Sequence, residues 1–116
     1  MKTKSVKKVW GREEWIVNND KYCFKELHIK ENAQCSLHYH KDKDETFILR
    51  HGRVILYNNG NTFIMKVNDT VRVLPHQRHQ FYGLEDSMLY EVSTHHEDSD
   101  SYRLTESTPG EDIICQ

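Results

Sequence analysis

Residues 36–52 read Ser-Leu-His-Tyr-His-Lys-Asp-Lys-Asp-Glu-Thr-Phe-Ile-Leu-Arg-His-Gly. In a strand alternate side chains share a face, so His38 and His40 point the same way with Cα atoms about 6.5–7 Å apart, within reach of one ion. Leu37 and Tyr39 then face away. The polar residues 41–44 form a turn, and Glu45 opens the next strand, where an antiparallel return sets it beside the His pair. One hairpin thus supplies three metal-type ligands. His79, in Pro75-His76-Gln77-Arg78-His79, is a fourth candidate. Eight histidines in 116 residues make about half an HxH pair by chance, so the pair alone says little. Weight comes from the offset of the carboxylate, from Gly52 closing the strand, and from the later Pro-x-x-x-His.

Outward from this stretch, runs rich in β-branched and aromatic residues recur at 22–29, 35–40, 46–49, 53–57, 62–67, 71–74 and 88–92. Asn and Asp clusters at 18–20, 58–61 and 68–69 separate several of them. Each run is strand-length and none is helix-length. Asn59-Gly60 is a hairpin signal, because both central turn positions want positive φ. Many short strands with turns between them predict an all-β sandwich or barrel.

The length of 116 residues allows one domain and excludes a multidomain enzyme. Two Trp, six Tyr and four Phe supply bulky core material, so no disulfide framework is needed. Lys plus Arg number 16 against 18 Asp plus Glu, and a formal net charge of -2 argues against a nucleic-acid binder. Lys2, Lys4, Lys7 and Lys8 read as a flexible, solvated arm over residues 1–8. Residues 9–104 form the domain, and the polar tail 105–116 is either loosely held or adds an edge strand late. Cys23, Cys35 and Cys115, with no CxxC, fit a reducing compartment. No apolar run suits a signal-peptide core, and none approaches the roughly twenty residues of a membrane span, so the expected address is cytoplasmic with no membrane partner. Exposed antiparallel edges predict a symmetric homodimer.

The central stretch resembles the first cupin motif, with His38, His40, Glu45 and Gly52 in register and Asn32 where its leading glycine belongs. The second cupin motif is represented by Pro75 and His79, with Asp69 and Gln77 at glycine positions and Gly83 at the closing Asn. Asn and Asp tolerate left-handed backbone, whereas Gln77 alters the local turn. The resemblance covers roughly residues 9–104. It implies a double-stranded β-helix with one divalent transition metal inside, held by His38, His40, Glu45 and His79. Three imidazoles and a carboxylate are borderline in softness, suiting Zn, Fe, Mn, Ni, Co or Cu.

Within the cupins, Trp10-Gly11 with Glu14, Phe24-Lys25, Ser36-Leu37-His38, Glu91-Val92 and the acidic stretch 98–104 are similar to the carboxy-terminal domain of type II mannose-6-phosphate isomerases. The nucleotidyltransferase domain of the larger bifunctional members has no counterpart in this chain. The likeness implies an aldose–ketose isomerase acting on a small sugar or sugar phosphate, in which a side-chain base removes a carbon-bound proton to give an enediolate. Lys25 and Glu91 are the candidate catalytic residues. Lys25 shares a strand face with Leu27 and Ile29, so it points into the barrel if those two are core, or else reaches water at the strand end. Tyr90 and Glu91 lie on opposite faces of the last strand, and which one faces inward is open. Arg78, next to His79, is the preferred phosphate ligand. His95 and His96 begin a polar run that reads as a hydrated loop. Trp10, Trp15 and Tyr22 are expected to pack over the barrel end or across a dimer contact. A metal-dependent dioxygenase and a non-catalytic metal- or carbohydrate-binding module are the alternatives.

Overall fold

The computed structural model describes residues 4–110. In chain order the strands are β1 (Lys4–Lys8), β2 (Gly11–Asn18), β3 (Cys23–Ile29), β4 (His38–Tyr39), β5 (Glu45–His51) and β6 (Val54–Asn58). They continue with β7 (Asn61–Met65), β8 (Thr70–Val73), β9 (His79–Gly83), β10 (Ser87–Ser93) and β11 (Tyr102–Arg103), the last preceded by a single 3-10 turn at Asp98–Asp100. Two antiparallel sheets result, ordered β1-β2-β3-β10-β5-β8 and β11-β4-β9-β6-β7. From β3 to β5 and again from β7 to β11 the chain alternates between sheets, which wraps them face to face as a jelly-roll double-stranded β-helix. No helix among the described residues is long and apolar enough to cross a membrane.

The hairpin at Asn59-Gly60 forms as its residues require. Asn59 and Gly60 take φ of 50° and 92°, and Asn58 pairs with Asn61 across the turn. Gly52, between β5 and β6, sits at φ 84°, where an added Cβ would lie 2.2 Å from Ser87 Oγ. Period-two burial runs through β3, β5, β6, β9 and β10, with every second side chain inside.

On the inner face of the six-stranded sheet this alternation stacks three cross-strand rows. Leu27, Leu89 and Leu49 form the first, Lys25, Glu91 and Phe47 the second, and Cys23, Ser93 and Glu45 the third. The first row joins Val54, Leu56, Met65 and Ile29 in an apolar core, where burying one such side chain contributes about 1.5–3 kcal/mol. The next two rows carry charge.

Two expectations change. Lys4–Lys8 are a strand paired with β2 rather than a free arm, because five cross-strand pairs, Lys4 with Trp15 through Lys8 with Gly11, outweigh the repulsion of spaced lysines. The His pair and Glu45 do not share a hairpin: β4 pairs with β9 and β11, whereas β5 pairs with β10 and β8. The polar residues between them carry the chain from one sheet to the other. Of the tail, Thr108 bridges Gln34 through two backbone hydrogen bonds of 3.0 and 2.8 Å, and residues 111–116 lie outside the described residues.

Candidate metal centre

His38 is on β4, His40 follows it, His79 opens β9 opposite His38, and Glu45 opens β5 in the facing sheet. Their ring planes cannot rotate freely. Each Nδ1–H donates to a backbone carbonyl: His38 to Ser36 at 2.7 Å, His40 to Asp100 at 3.0 Å and His79 to Gln77 at 3.0 Å. That pattern sets one tautomer and leaves each Nε2 as a lone-pair donor, the arrangement metal-ligating histidines use. The ligating nitrogens lie within 4.8 Å of one another. Glu45 Oε2 stands 3.2 Å from His40 Nε2 and 3.1 Å from His79 Nε2.

Burial shows what the arrangement fits. Glu45 Oε2 and His79 Nε2 are shut off from water with no well-formed hydrogen bond among the described residues. Such a pair of buried polar atoms costs on the order of 1–3 kcal/mol each unless something polar sits between them. A cation bound by three neutral imidazoles and a carboxylate answers that need, and the three-histidine cluster fits a divalent metal. Burial, followed by the neighbouring His79, pushes His38 down to about 3, which keeps it neutral. Burial raises the Glu45 pKa, but Lys43 and the two imidazoles beside it override this and hold it well below the usual carboxylate range. Burial also works against charge on His79, yet the Glu45 carboxylate outweighs it and raises the His79 pKa.

The turns that aim these rings are built from side chains the motif does not contain. The left-handed position after Pro75 is His76, at φ 71°, so a glycine at 77 is not required. The Gln77 side chain instead braces the turn, its Oε1 accepting from Leu74 N at 2.9 Å and Asn58 Nδ2 at 3.2 Å. Asn32, at φ 65°, takes the leading glycine's conformation; at the second motif Asn68, at φ 78°, does so in place of Asp69. Asp100 clamps the loop after His40: its carboxylate accepts the backbone N–H groups of Lys41, Asp42 and Lys43 at 2.8–3.3 Å, while its carbonyl receives His40 Nδ1–H.

That clamp explains a residue sequence reading missed. Lys43, read as part of a solvated turn, is only 3% exposed. Its Nζ meets Glu91 Oε2 at 2.5 Å, His96 Nδ1 at 3.0 Å and Glu45 Oε1 at 3.6 Å. Burial opposes its charge, but Glu91 and Glu45 more than compensate and raise its pKa. No local signal marks it, since a Lys between two aspartates looks like a surface turn. His96 likewise leaves the expected hydrated loop: it is braced between Lys43 and Asp98, with its ring edge-on to Trp15 at 5.0 Å.

Lys25 and Glu91 both face inward, as cross-strand partners. Lys25 Nζ reaches Glu13 Oε1 at 3.3 Å and lies 4.1 Å from the Trp15 ring centroid. Burial would raise the Glu91 pKa, but Lys43 reverses this and keeps the carboxylate ionised. With His38, His40 and Glu45 they line one cavity of about 770 Å³. Trp10 closes part of its wall, packed edge-to-face on Phe81 at 4.9 Å. Arg78, in the loop just before β9, is exposed, with its guanidinium 5.8 Å from the Tyr39 ring centroid; it is no part of the cavity.

Comparison with known proteins agrees with the geometry. No curated protein sequence matches the chain. Among solved structures, a variant of Streptomyces PAC13 with uridine superposes with a TM-score of 0.79 at 14% identity, covering 95% of this chain and 89% of that one. KdgF from Halomonas sp. gives 0.71 at 16% identity, with 76% and 81% covered. Oxalate decarboxylase from Bacillus subtilis gives 0.72 at 16%, covering 88% of this chain and 30% of its own. At such identities the likeness speaks for the fold. The family model described as "Cupin domain" matches residues 25–93, running from the buried Lys25 through all three histidines to the end of β10, and the chain belongs to that family.

Proposed function

We propose that His38, His40, His79 and Glu45 hold one divalent transition metal, and that the cavity beside them is the active site of an isomerase-type enzyme acting on a sugar or sugar phosphate. The observation that carries this reading is the charged row behind the ligands: an ionised Glu91 and a buried Lys25, paired across β3 and β10 and lining the same cavity as His38 and His40. When bound, the metal supplies Lewis-acid polarisation of a substrate carbonyl and its neighbouring hydroxyl. Glu91 is the base. Lys43 keeps it ionised, so it can take a proton from one carbon and, once protonated, return it to the next, as a 1,2-shift requires. Lys25, held by Glu13 and the face of Trp15, orients an oxygen of the substrate. Phe47, Phe81 and Trp10 supply the apolar wall that limits water.

The test is incubation of metal-loaded protein, its metal content measured, with mannose 6-phosphate, fructose 6-phosphate and free aldoses in deuterated water. Interconversion with deuterium entering the carbon next to the carbonyl is expected, and Glu91→Gln should lower the rate at least about a hundredfold. Metal bound with no interconversion of any of these sugars removes the reading. The open sheet edges at β1, β8, β7 and β11, with Phe63 and Ile64 39% and 61% exposed on β7, support a homodimer. Light scattering at the mass of one chain would refute it.

A further inference from the structure

We propose that the cavity selects an anionic ligand, a small polyhydroxy molecule bearing a phosphate or carboxylate, and that the charged group lies at the mouth, against β1 and β11. This deepens the reading of the cavity as a substrate site and rests on it. Six basic side chains line the cavity: Lys4, Lys7, Lys8, Lys25, Lys43 and Arg103. Four acidic ones do: Glu13, Glu45, Glu91 and Asp98. Six against four leaves the lining at +2, inside a chain whose formal net charge is -2. A divalent cation on the histidines would add to that surplus. A concave site with a surplus of one sign and low-dielectric walls focuses potential and concentrates ligands of the opposite sign.

The two buried lysines differ in what they have left to offer. Lys43 is fully engaged, with Glu91, His96 and Glu45 around its ammonium. An ammonium has three donors, and among the described residues Lys25 uses one of them, on Glu13, while resting on Trp15. Lys4 lies 4.3 Å from the centroid of that same ring and, among the described residues, has no carboxylate within 4 Å. Lys8 reaches Glu13 only at 3.9 Å. Trp15 thus carries two ammonium groups, with Lys8 and Arg103 lining the same cavity. The positive charge is concentrated on β1, whose pairing with β2 draws these lysines to the wall of the cavity.

Calorimetry with inorganic phosphate, an aldose 6-phosphate, the matching sugar acid and the free sugar, on metal-loaded and chelator-treated protein, tests the assignment. The phosphate ester or the sugar acid, whichever the subsite takes, should bind at least about tenfold more tightly than the free sugar, with part of that preference surviving chelation and fading in salt. The double variant Lys8→Gln/Arg103→Gln, on exposed or half-exposed positions, should reduce the preference about tenfold and leave free-sugar binding unchanged. Equal binding of charged and neutral sugars, anion binding that vanishes wholly on chelation, or a double variant with unchanged preference would each overturn it. Anion binding without turnover leaves this inference standing while removing the isomerase. Turnover of free aldoses without anion preference does the reverse.

Discussion

The two halves of the barrel are built on the same strands and obey opposite rules. Along β3, β10 and β5 the inward row Leu27–Leu89–Leu49 gives way, two residues on, to Lys25–Glu91–Phe47, and two further on to Cys23–Ser93–Glu45. All nine side chains are buried. In the apolar half burial is itself the driving force, and each methylene is favourable. In the charged half every group must be desolvated, and only close partners offset that cost. Lys43 with Glu91 and Glu45, Lys25 with Glu13, and the histidines with their carbonyls are those partners. The apolar half stabilises the barrel, and the charged half uses that stability to hold groups water would otherwise scatter.

The contrast is broken most sharply at Lys43. Lys43→Met leaves Glu91 and Glu45 uncompensated in the interior, and denaturant titration should show a loss of about 3–5 kcal/mol. Adding Glu91→Leu to the same chain should recover much of that loss while abolishing the proposed chemistry. A double variant no more stable than the single one would mean that Lys43 acts by packing alone. Leu49→Ala, in the apolar row, should cost about 2–5 kcal/mol with metal affinity unchanged, since the cavity it opens is remote from the ligands. A change in metal affinity there would blur the boundary between the halves. The smallest stability effect is expected at Asp100, at the rim of the charged half. Asp100→Ala frees three backbone N–H groups in a loop that water can reach, costing about 1 kcal/mol, yet through His40 and Lys43 it should weaken metal binding by about ten- to a hundredfold in a competition titration. Equal metal affinity in the variant and the parent would show that the loop holds itself.

The fold was legible because its signals are local. The Asn59-Gly60 turn depends on the φ values two adjacent residues tolerate, and the strand runs depend on composition and a period of two. His38, His40, Glu45 and His79 were legible as metal-type residues for the same reason: the pair and the carboxylate stand at offsets a strand makes useful, and the structure draws all four side chains together. Strand β1 was not legible, because Lys4, Lys7 and Lys8 suggest solvent until β2 is there to pair with them. Nor was the role of Asp100, 57 to 60 residues from the groups it holds.

Local sequence is enough to establish that this chain is a β barrel, where its Asn-Gly hairpin falls, and which residues have ligand chemistry at strand spacing, since these follow from backbone preference and the alternation of side chains over a few positions. Tertiary structure alone decided that the His pair and Glu45 face each other from different sheets, that Glu91 rather than Tyr90 turns inward, and that Lys43 is buried while Arg78 is not. Alternation says which neighbours share a face but not which face meets the core. That is settled only when two sheets close on each other and every buried charge finds a partner from a distant part of the chain.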